Sequence, residues 1–276
     1  MGSFSNYIEN KILDHFLLTA AYTPETNLYL GLSTADPTDT GAGISEPGSG
    51  RGYARQLVNG DVWGVAGATT SRAIKNSTAI SFSEATNTWG TISHFFICSH
   101  ATNTTWGTNV NLIAHGSLSE SKSIGSGDNA SFAVAAISIS FQTGAIGTYL
   151  SHKLLDHIFK KTVYDTSGAN IYLALSTANP TDDGSGLTTA EPSGNAYARV
   201  SHTAWRAAVD SETKNTGAIT WTSASASWGT VTYFAALGAN SGTSTLLFYG
   251  QLDTSRAIGT NDTPIFSEDA LVITCD

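Results

Sequence analysis

The stretch N-L-Y-L-G-L-S-T-A-D-P-T-D at residues 27–39 occurs again, with few changes, as N-I-Y-L-A-L-S-T-A-N-P-T-D at residues 170–182. Shorter motifs flank both occurrences in the same order and at similar spacing. They are K-I-L-D-H (11–15) and K-L-L-D-H (153–157), Y-A-R (53–55 and 197–199), and W-G-T (89–91 and 228–230). This shared order predicts a tandem duplication of one domain. A residue that is the same in both copies is then expected to have a role that both domains share.

The duplication also decides the number of domains. A chain of 276 residues has the length of one large domain or two ordinary ones. The repeat predicts two, and we expect the first domain, copy one, to span residues 1–143 and the second, copy two, to span residues 144–276. Each half is long enough for a core of sandwich size.

The composition excludes several classes of function. Charged residues make up only 13% of the chain, and the formal net charge is −9. Because no run rich in Lys and Arg occurs, we expect no nucleic-acid partner. Apolar runs of about 18 residues are also absent, so we expect no membrane partner. The first ten residues lack the features of a secretory signal.

Hydrophobic periodicity predicts one helix and many strands in each copy. Apolar residues recur with helical spacing over residues 7–16 and 149–159. Leu28, Leu30 and Leu32 alternate with other residues, as in a strand that is buried on one face. The fold class predicted is mainly β. It consists of two tandem homologous β-sandwich domains of jelly-roll type, each preceded by one N-terminal α-helix.

The two cysteines, Cys98 and Cys275, do not occupy equivalent positions in the two copies. A disulfide framework would have been duplicated with the domain, so we interpret both as unpaired, partly buried thiols. A disulfide between the copies is the alternative.

The sequence predicts no catalytic, cofactor-binding or metal-binding residue, and therefore no enzyme. His15 and His157 are matched and each follows an aspartate, which fits either a metal or acid–base pair or, more simply, packing on the helix face. Glu46 and Glu191 each precede a Y-A-R motif, so we expect each to pair with the arginine of that motif. A depolymerase would need a carboxylate pair or triad, which the sequence does not reveal.

Aromatic residues dominate the matched positions. Trp89 and Trp228 fit buried anchors of the fold, and exposed tryptophans would instead favour a carbohydrate-binding module. We expect the matched residues to be structural. They are Tyr29, Tyr53, Arg55, Trp89 and Gly90 in copy one, and Tyr172, Tyr197, Arg199, Trp228 and Gly229 in copy two.

These motifs together resemble a family of small virion proteins of tailed bacteriophages, of the tail-fibre or head-decoration type. The resemblance covers both copies, whereas members of the family commonly carry one. It implies a non-enzymatic, β-rich structural protein of the virion, assembled in the host cytoplasm.

We therefore expect a capsid decoration (cement) protein or a tail-associated component. Its partners would be major capsid or tail proteins and further copies of itself, because symmetric assembly is usual for such parts. The alternative is a carbohydrate-binding module that contacts host surface glycans. Copy one has extra residues near Trp106, where we expect any contact that the copies do not share.

Overall fold

The computed structural model describes residues 2–18, 20–66, 72–102, 104–141, 146–164 and 170–275. In copy one the elements are β1 (Gly2–Phe4), α1 (Asn6–Leu17), β2 (Tyr29–Ser33), β3 (Gln56–Leu57), a 3₁₀ helix (Gly60–Val62), β4 (Ala73–Lys75), β5 (Ile80–Ser81), β6 (Gly90–Cys98), β7 (Leu112–Ile124), β8 (Ser131–Phe132) and β9 (Ser138–Ser140). In copy two they are α2 (Thr148–Lys160), β10 (Ile171–Ser176), α3 (Leu187–Ala190), β11 (Val200–His202), β12 (Glu212–Lys214), β13 (Ile219–Thr220), β14 (Gly229–Leu237), β15 (Leu246–Ile258), β16 (Ile265–Phe266) and β17 (Val272–Thr274).

The mainly β class and the leading helices are confirmed. The jelly-roll connectivity stays a prediction, as does the boundary between residues 143 and 144, which lies outside the described residues. Helix α1 ends at Leu17. It ends there because the backbone N–H groups of Leu18 and Ala20 both donate to the carbonyl of Asp14, which closes the last turn.

Copy one contains a seven-stranded sheet with the order β3-β2-β6-β7-β1-β9-β4. Neighbours in this sheet are antiparallel except β1 and β9, which are parallel. The equivalent strands of copy two have the order β11-β10-β14-β15. Ile146 then forms an isolated bridge to Phe248, in the place that β1 takes in copy one. The two copies therefore share one strand plan.

An irregularity in the longest strand pair also occurs in both copies. In copy one, Ile92 pairs with Lys122 while His94 pairs with Ser117, so residues 118–121 bulge out opposite a single residue. In copy two the bulge spans residues 252–255, at the matching place. Bulges of this kind bend a strand and redirect its side chains, and their repetition indicates a retained feature.

One core runs through both copies. A single cluster of buried apolar side chains includes Phe4 and Trp63 of copy one together with Phe159 of copy two. Helix α2 causes this continuity, because the Phe159 ring lies 4.8 Å from Trp63 and 6.4 Å from Phe4. The two copies are thus joined through a shared apolar core rather than through contact between two separate surfaces.

Candidate functional site

The two matched histidines meet where the copies join. Their rings stack with centroids 5.4 Å apart and planes inclined by 21°. The backbone N–H of Tyr22 donates to His15 Nδ1 at 2.9 Å, so His15 Nε2 carries the proton and donates to the carbonyl of Tyr164 at 2.9 Å. His157 makes the reciprocal pair of contacts, to Tyr164 N–H at 3.2 Å and to the Tyr22 carbonyl at 3.0 Å. Each histidine thus ties its own copy to the other.

The aspartates that precede these histidines also form reciprocal hydrogen bonds between the copies. Asp14 Oδ1 accepts a hydrogen bond of 2.7 Å from the backbone N–H of Ala208. Asp156 Oδ1 accepts one of 2.8 Å from the backbone N–H of Ala66. Because residue i of one copy contacts residue j of the other and the reverse also holds, the contact has the form of a twofold symmetric dimer interface.

Further polar contacts cross this junction. Ser211 donates to Glu9 Oε2 at 2.6 Å through its hydroxyl and to Asn10 Oδ1 at 2.8 Å through its backbone N–H. Lys160 Nζ donates to the carbonyl of Trp63 at 3.0 Å. Arg72 Nη1 donates to the carbonyl of Ile146 at 2.7 Å. The motif Asp-His on a repeated helix was the sequence signal for this interface, but it could not name the residues opposite.

The Y-A-R motif builds a buried polar cluster in copy one. Arg55 donates to Glu46 through Nε at 3.0 Å and through Nη2 at 2.5 Å, and Tyr53 donates to the same carboxylate at 2.7 Å. The Tyr53 oxygen accepts from the backbone N–H of Leu32 at 2.9 Å. Arg55 Nη1 also donates to the carbonyl of His100 at 2.6 Å. A loop is thus fastened to the central sheet by a bidentate ion pair.

Copy two repeats the cluster. Arg199 donates to Glu191 at 2.7 and 2.6 Å, Tyr197 donates to it at 3.0 Å, and the N–H of Leu175 donates to the Tyr197 oxygen at 3.0 Å. Here Arg199 Nη1 donates to the carbonyl of Ala239 at 2.9 Å. The carboxylate–arginine pairs expected from the sequence are therefore present in both copies.

Burial sets the ionisation of these clusters. It raises the pKa of the Tyr53 hydroxyl, and the charge of Glu46 raises it further. Burial followed by the charge of Glu191 likewise raises the pKa of Tyr197. Burial also raises the pKa of the Cys98 thiol to about 11. Both phenols and this thiol therefore stay protonated at neutral pH, as suits structural groups better than acid–base catalysts.

The tryptophan of each W-G-T motif packs against the tyrosine of the polar cluster in the same copy. Trp89 packs edge-on to Tyr53 with ring centroids 5.4 Å apart, and Trp228 does so with Tyr197 at 5.1 Å. The glycine after each tryptophan has a positive φ, +85° at Gly90 and +86° at Gly229. Glycine adopts this conformation without strain, which accounts for its presence in both copies.

Most tryptophan side chains lie in the interior, where they cannot stack against a sugar ring. Trp63, Trp89, Trp205, Trp221 and Trp228 are all buried. Trp106 is half-buried and lies over Arg55, with the guanidinium carbon 5.1 Å from its ring centroid. The matched Tyr29 and Tyr172 are half-buried in the equivalent strands β2 and β10.

A polar cleft lies beside a loop of copy one that differs in length between the copies. The loop between β6 and β7 (residues 99–111) is longer than its counterpart in copy two (238–245). It forms one wall of a cleft of about 420 Å³, and Glu25, Asn27 and Tyr29 lie on the other wall. Glu25 Oε1 accepts hydrogen bonds of 2.8 Å from both Tyr7 and Asn111. The expected difference between the copies near Trp106 is thus a longer loop in copy one.

Within the described ranges, no group of three or more His, Cys, Asp or Glu side chains could hold a metal ion. No helix in that same part of the chain is long and apolar enough to cross a bilayer. Both cysteines, Cys98 and Cys275, are buried, and neither forms a disulfide.

Fold and geometry together define a class of protein, namely a β-rich tandem repeat whose matched polar residues are engaged in internal packing. A family model described as podophage GP4 fiber I protein gp80 matches residues 3–140 and again residues 145–274. The matches cover nearly the whole chain, so it belongs to this bacteriophage fibre family and is a virion component of that type. The resemblance to tailed-phage virion proteins and the tandem duplication are thereby confirmed. A comparison with curated proteins found no match.

Proposed function

We propose that this protein is a non-enzymatic structural part of the phage tail fibre and that it acts through contacts with other tail proteins. The family match over both copies carries this proposal. A tail position is favoured over capsid decoration because the matching family is one of fibre proteins. Nucleic acid and membrane are not among the partners we propose.

The internal chemistry supports a structural role. The Arg55 and Arg199 side chains are 2% and 4% exposed, and each is paired with a carboxylate of its own copy. Such groups fix loops and are poorly placed to meet a substrate. A chain whose copies share one core also resists being pulled into halves, which suits a part that transmits load between host and virion.

We further propose that the protein assembles with copies of itself. The interface between copies is already filled within one chain, so assembly would use the outer faces. Three chains would supply six domains to a ring of pseudo-sixfold symmetry, and two chains would supply four.

Immunogold electron microscopy of intact virions, with antibody to this protein, tests the location. Gold at the tail supports the proposal. Gold spread over the head would replace it with capsid decoration. If mass spectrometry detects the protein in virions that bind no gold, a surface position is wrong in either place.

Glycan binding is a second candidate function. The single observation that favours it is the polar cleft of copy one. Hydroxyl, amide and carboxylate groups line this cleft, and the bonds from Tyr7 and Asn111 hold Glu25 in place. Such a set of donors and acceptors suits neutral sugars. A glycan array probed with the wild-type protein and with Glu25→Ala tests it. Binding that Glu25→Ala abolishes supports the candidate, and absence of binding by the wild type rejects it.

A further inference from the structure

One wall of the polar cleft is built from residues 25–27, which lead into β2. We name these residues the cleft segment. The segment lies outside the helices and strands, so its backbone groups need partners from elsewhere. The end next to β2 is fastened within copy one. Asn59 donates to Asn27 Oδ1 at 2.8 Å and accepts the backbone N–H of Leu28 at 2.9 Å.

The other end of the cleft segment is fastened by copy two. Lys161 Nζ donates to the carbonyl of Glu25 at 2.7 Å and also to the carbonyl of Thr26. Burial lowers the pKa of Lys161, and the charge of Glu25 opposes this shift, as expected for neighbouring groups of opposite charge. Hydrogen bonds from an ammonium group are stronger than those between neutral groups. A single lysine of copy two therefore holds two consecutive carbonyls in the wall of a cleft of copy one.

The end of helix α2 places Lys161 at this point. Lys161 is the first residue after the helix, and its backbone N–H donates to the carbonyl of Asp156. Its φ of +59° is left-handed, a conformation that residues with a Cβ atom adopt at a cost. The chain thus turns sharply at the residue whose side chain crosses to copy one.

The sequence shows that this support is one-sided. Copy two has Lys160 and Lys161 after its Asp-His motif, and the equivalent positions of copy one hold Leu18 and Thr19. Neither lysine therefore has a counterpart in copy one. The two lysines contact different parts of copy one, because Lys160 Nζ donates to the carbonyl of Trp63, which is not part of the cleft lining.

We propose that Lys161 of copy two is a positioning residue for glycan binding in the polar cleft of copy one. Lys161 is not one of the residues that line the cleft, so it acts through the cleft segment and the carboxylate of Glu25. A site on a connecting segment loses affinity when its support is removed, because the ligand must then order the segment as it binds. The inference rests on the glycan-binding candidate proposed above and adds that the binding copy depends on its duplicate.

Calorimetric titration of the full chain tests this dependence. The probe is the neutral oligosaccharide that the wild type binds most tightly on the glycan array. Lys161→Ala should weaken binding about tenfold or more, since two hydrogen bonds from a charged group are lost. Lys161→Arg should keep most of the affinity, because a guanidinium group also donates to carbonyl oxygens. Lys160→Ala is the matched control, since it removes the neighbouring lysine of the same junction with the same change in net charge, and it should bind as the wild type does.

Hydrogen–deuterium exchange adds a measurement that needs no glycan. The backbone amides of residues 25–28 should exchange faster in Lys161→Ala than in the wild type. Lys160→Ala should leave their exchange unchanged. Thermal unfolding of each variant verifies that all of them remain folded at the temperature of the titration.

Weaker binding and faster exchange in Lys161→Ala alone support the proposal. Wild-type affinity or unchanged exchange in Lys161→Ala overturns it and leaves the glycan-binding candidate intact. Equal losses in the two alanine variants would assign the effect to the junction as a whole and also overturn it. If the wild type binds no oligosaccharide of the array, the inference and the glycan-binding candidate fail together, whereas gold at the tail would still support the structural role.

Discussion

Gly31 lies directly opposite Phe96 in the antiparallel pair of β2 and β6. A Cβ atom on Gly31 would come within 2.1 Å of the Phe96 ring, so the glycine makes room for the aromatic side chain. In copy two the same pair of positions holds Ala174 and Ala235. The two copies thus fill the same cross-strand space differently. Copy one uses a glycine and a phenylalanine, and copy two uses two alanines.

This relationship predicts a compensating pair of substitutions. Gly31→Ala should lower the free energy of unfolding by about 1–3 kcal/mol, because the methyl group overpacks the site. Phe96→Ala alone should cost about 3–5 kcal/mol. The double variant imitates copy two, so its loss should be smaller than the sum by about 1–2 kcal/mol. Urea unfolding of the four proteins measures this coupling, and strict additivity would contradict it.

The histidine stack predicts a second coupling, this time across the junction. His157→Ala removes the bonds to the Tyr22 carbonyl and the Tyr164 N–H. It should lower the free energy of unfolding by about 2–4 kcal/mol, as expected for a buried ring with two polar partners. His15→Ala should cost a similar amount. Since the rings stack, the double variant should lose less than the sum, which urea unfolding can measure against His152→Ala, a half-buried histidine of α2.

Removing a buried carboxylate should be costly in either copy. Glu46→Ala leaves the guanidinium of Arg55 buried without its charge partner, which should cost about 3–5 kcal/mol. Glu191→Ala should do the same to Arg199. Glu84→Ala, which removes an exposed carboxylate, should change the free energy of unfolding by less than about 0.5 kcal/mol. Thermal unfolding compares the three, and a neutral effect of Glu46→Ala would contradict a structural role for the cluster.

The thiols should be inert in the folded protein. Cys98 and Cys275 are buried, and the pKa of Cys98 is raised to about 11. At about pH 8, roughly one Cys98 thiol in a thousand would be ionised even if a reagent could reach it. We expect no reaction with an aromatic disulfide reagent in native conditions and reaction of both thiols in urea. No reaction in urea without a reductant would reveal a disulfide between the copies.

The shared core predicts that the copies stay together when the chain is cut. A specific protease site inserted between residues 143 and 144 allows cleavage of the purified protein. After cleavage the two fragments should elute together from a gel-filtration column, because the core and the histidine stack span both copies. They should separate only in denaturant. Separate elution in native buffer would show that the junction contributes little.

Sequence reasoning recovers what is local or repeated. The helices, the β2 and β10 strands and the pairing of Glu46 with Arg55 follow from periodicity and from motifs kept at short spacing. It does not recover the exchange between copies, because Asp14 and Ala208 are far apart in the chain and a backbone N–H carries no residue signature. The bulges are missed for a related reason. Leu118 and Leu252 continue an alternating pattern, so nothing local marks where pairing stops.

The longer loop of copy one, at residues 99–111, makes the two halves of the molecule different from each other. An object made of two equivalent halves can be inserted between its neighbours in either of two orientations with the same energy. Copy one carries the longer loop with Trp106, and the shorter loop of copy two has no tryptophan. An asymmetric neighbour can therefore tell the two orientations apart, so the duplicated chain can mark which way round it sits.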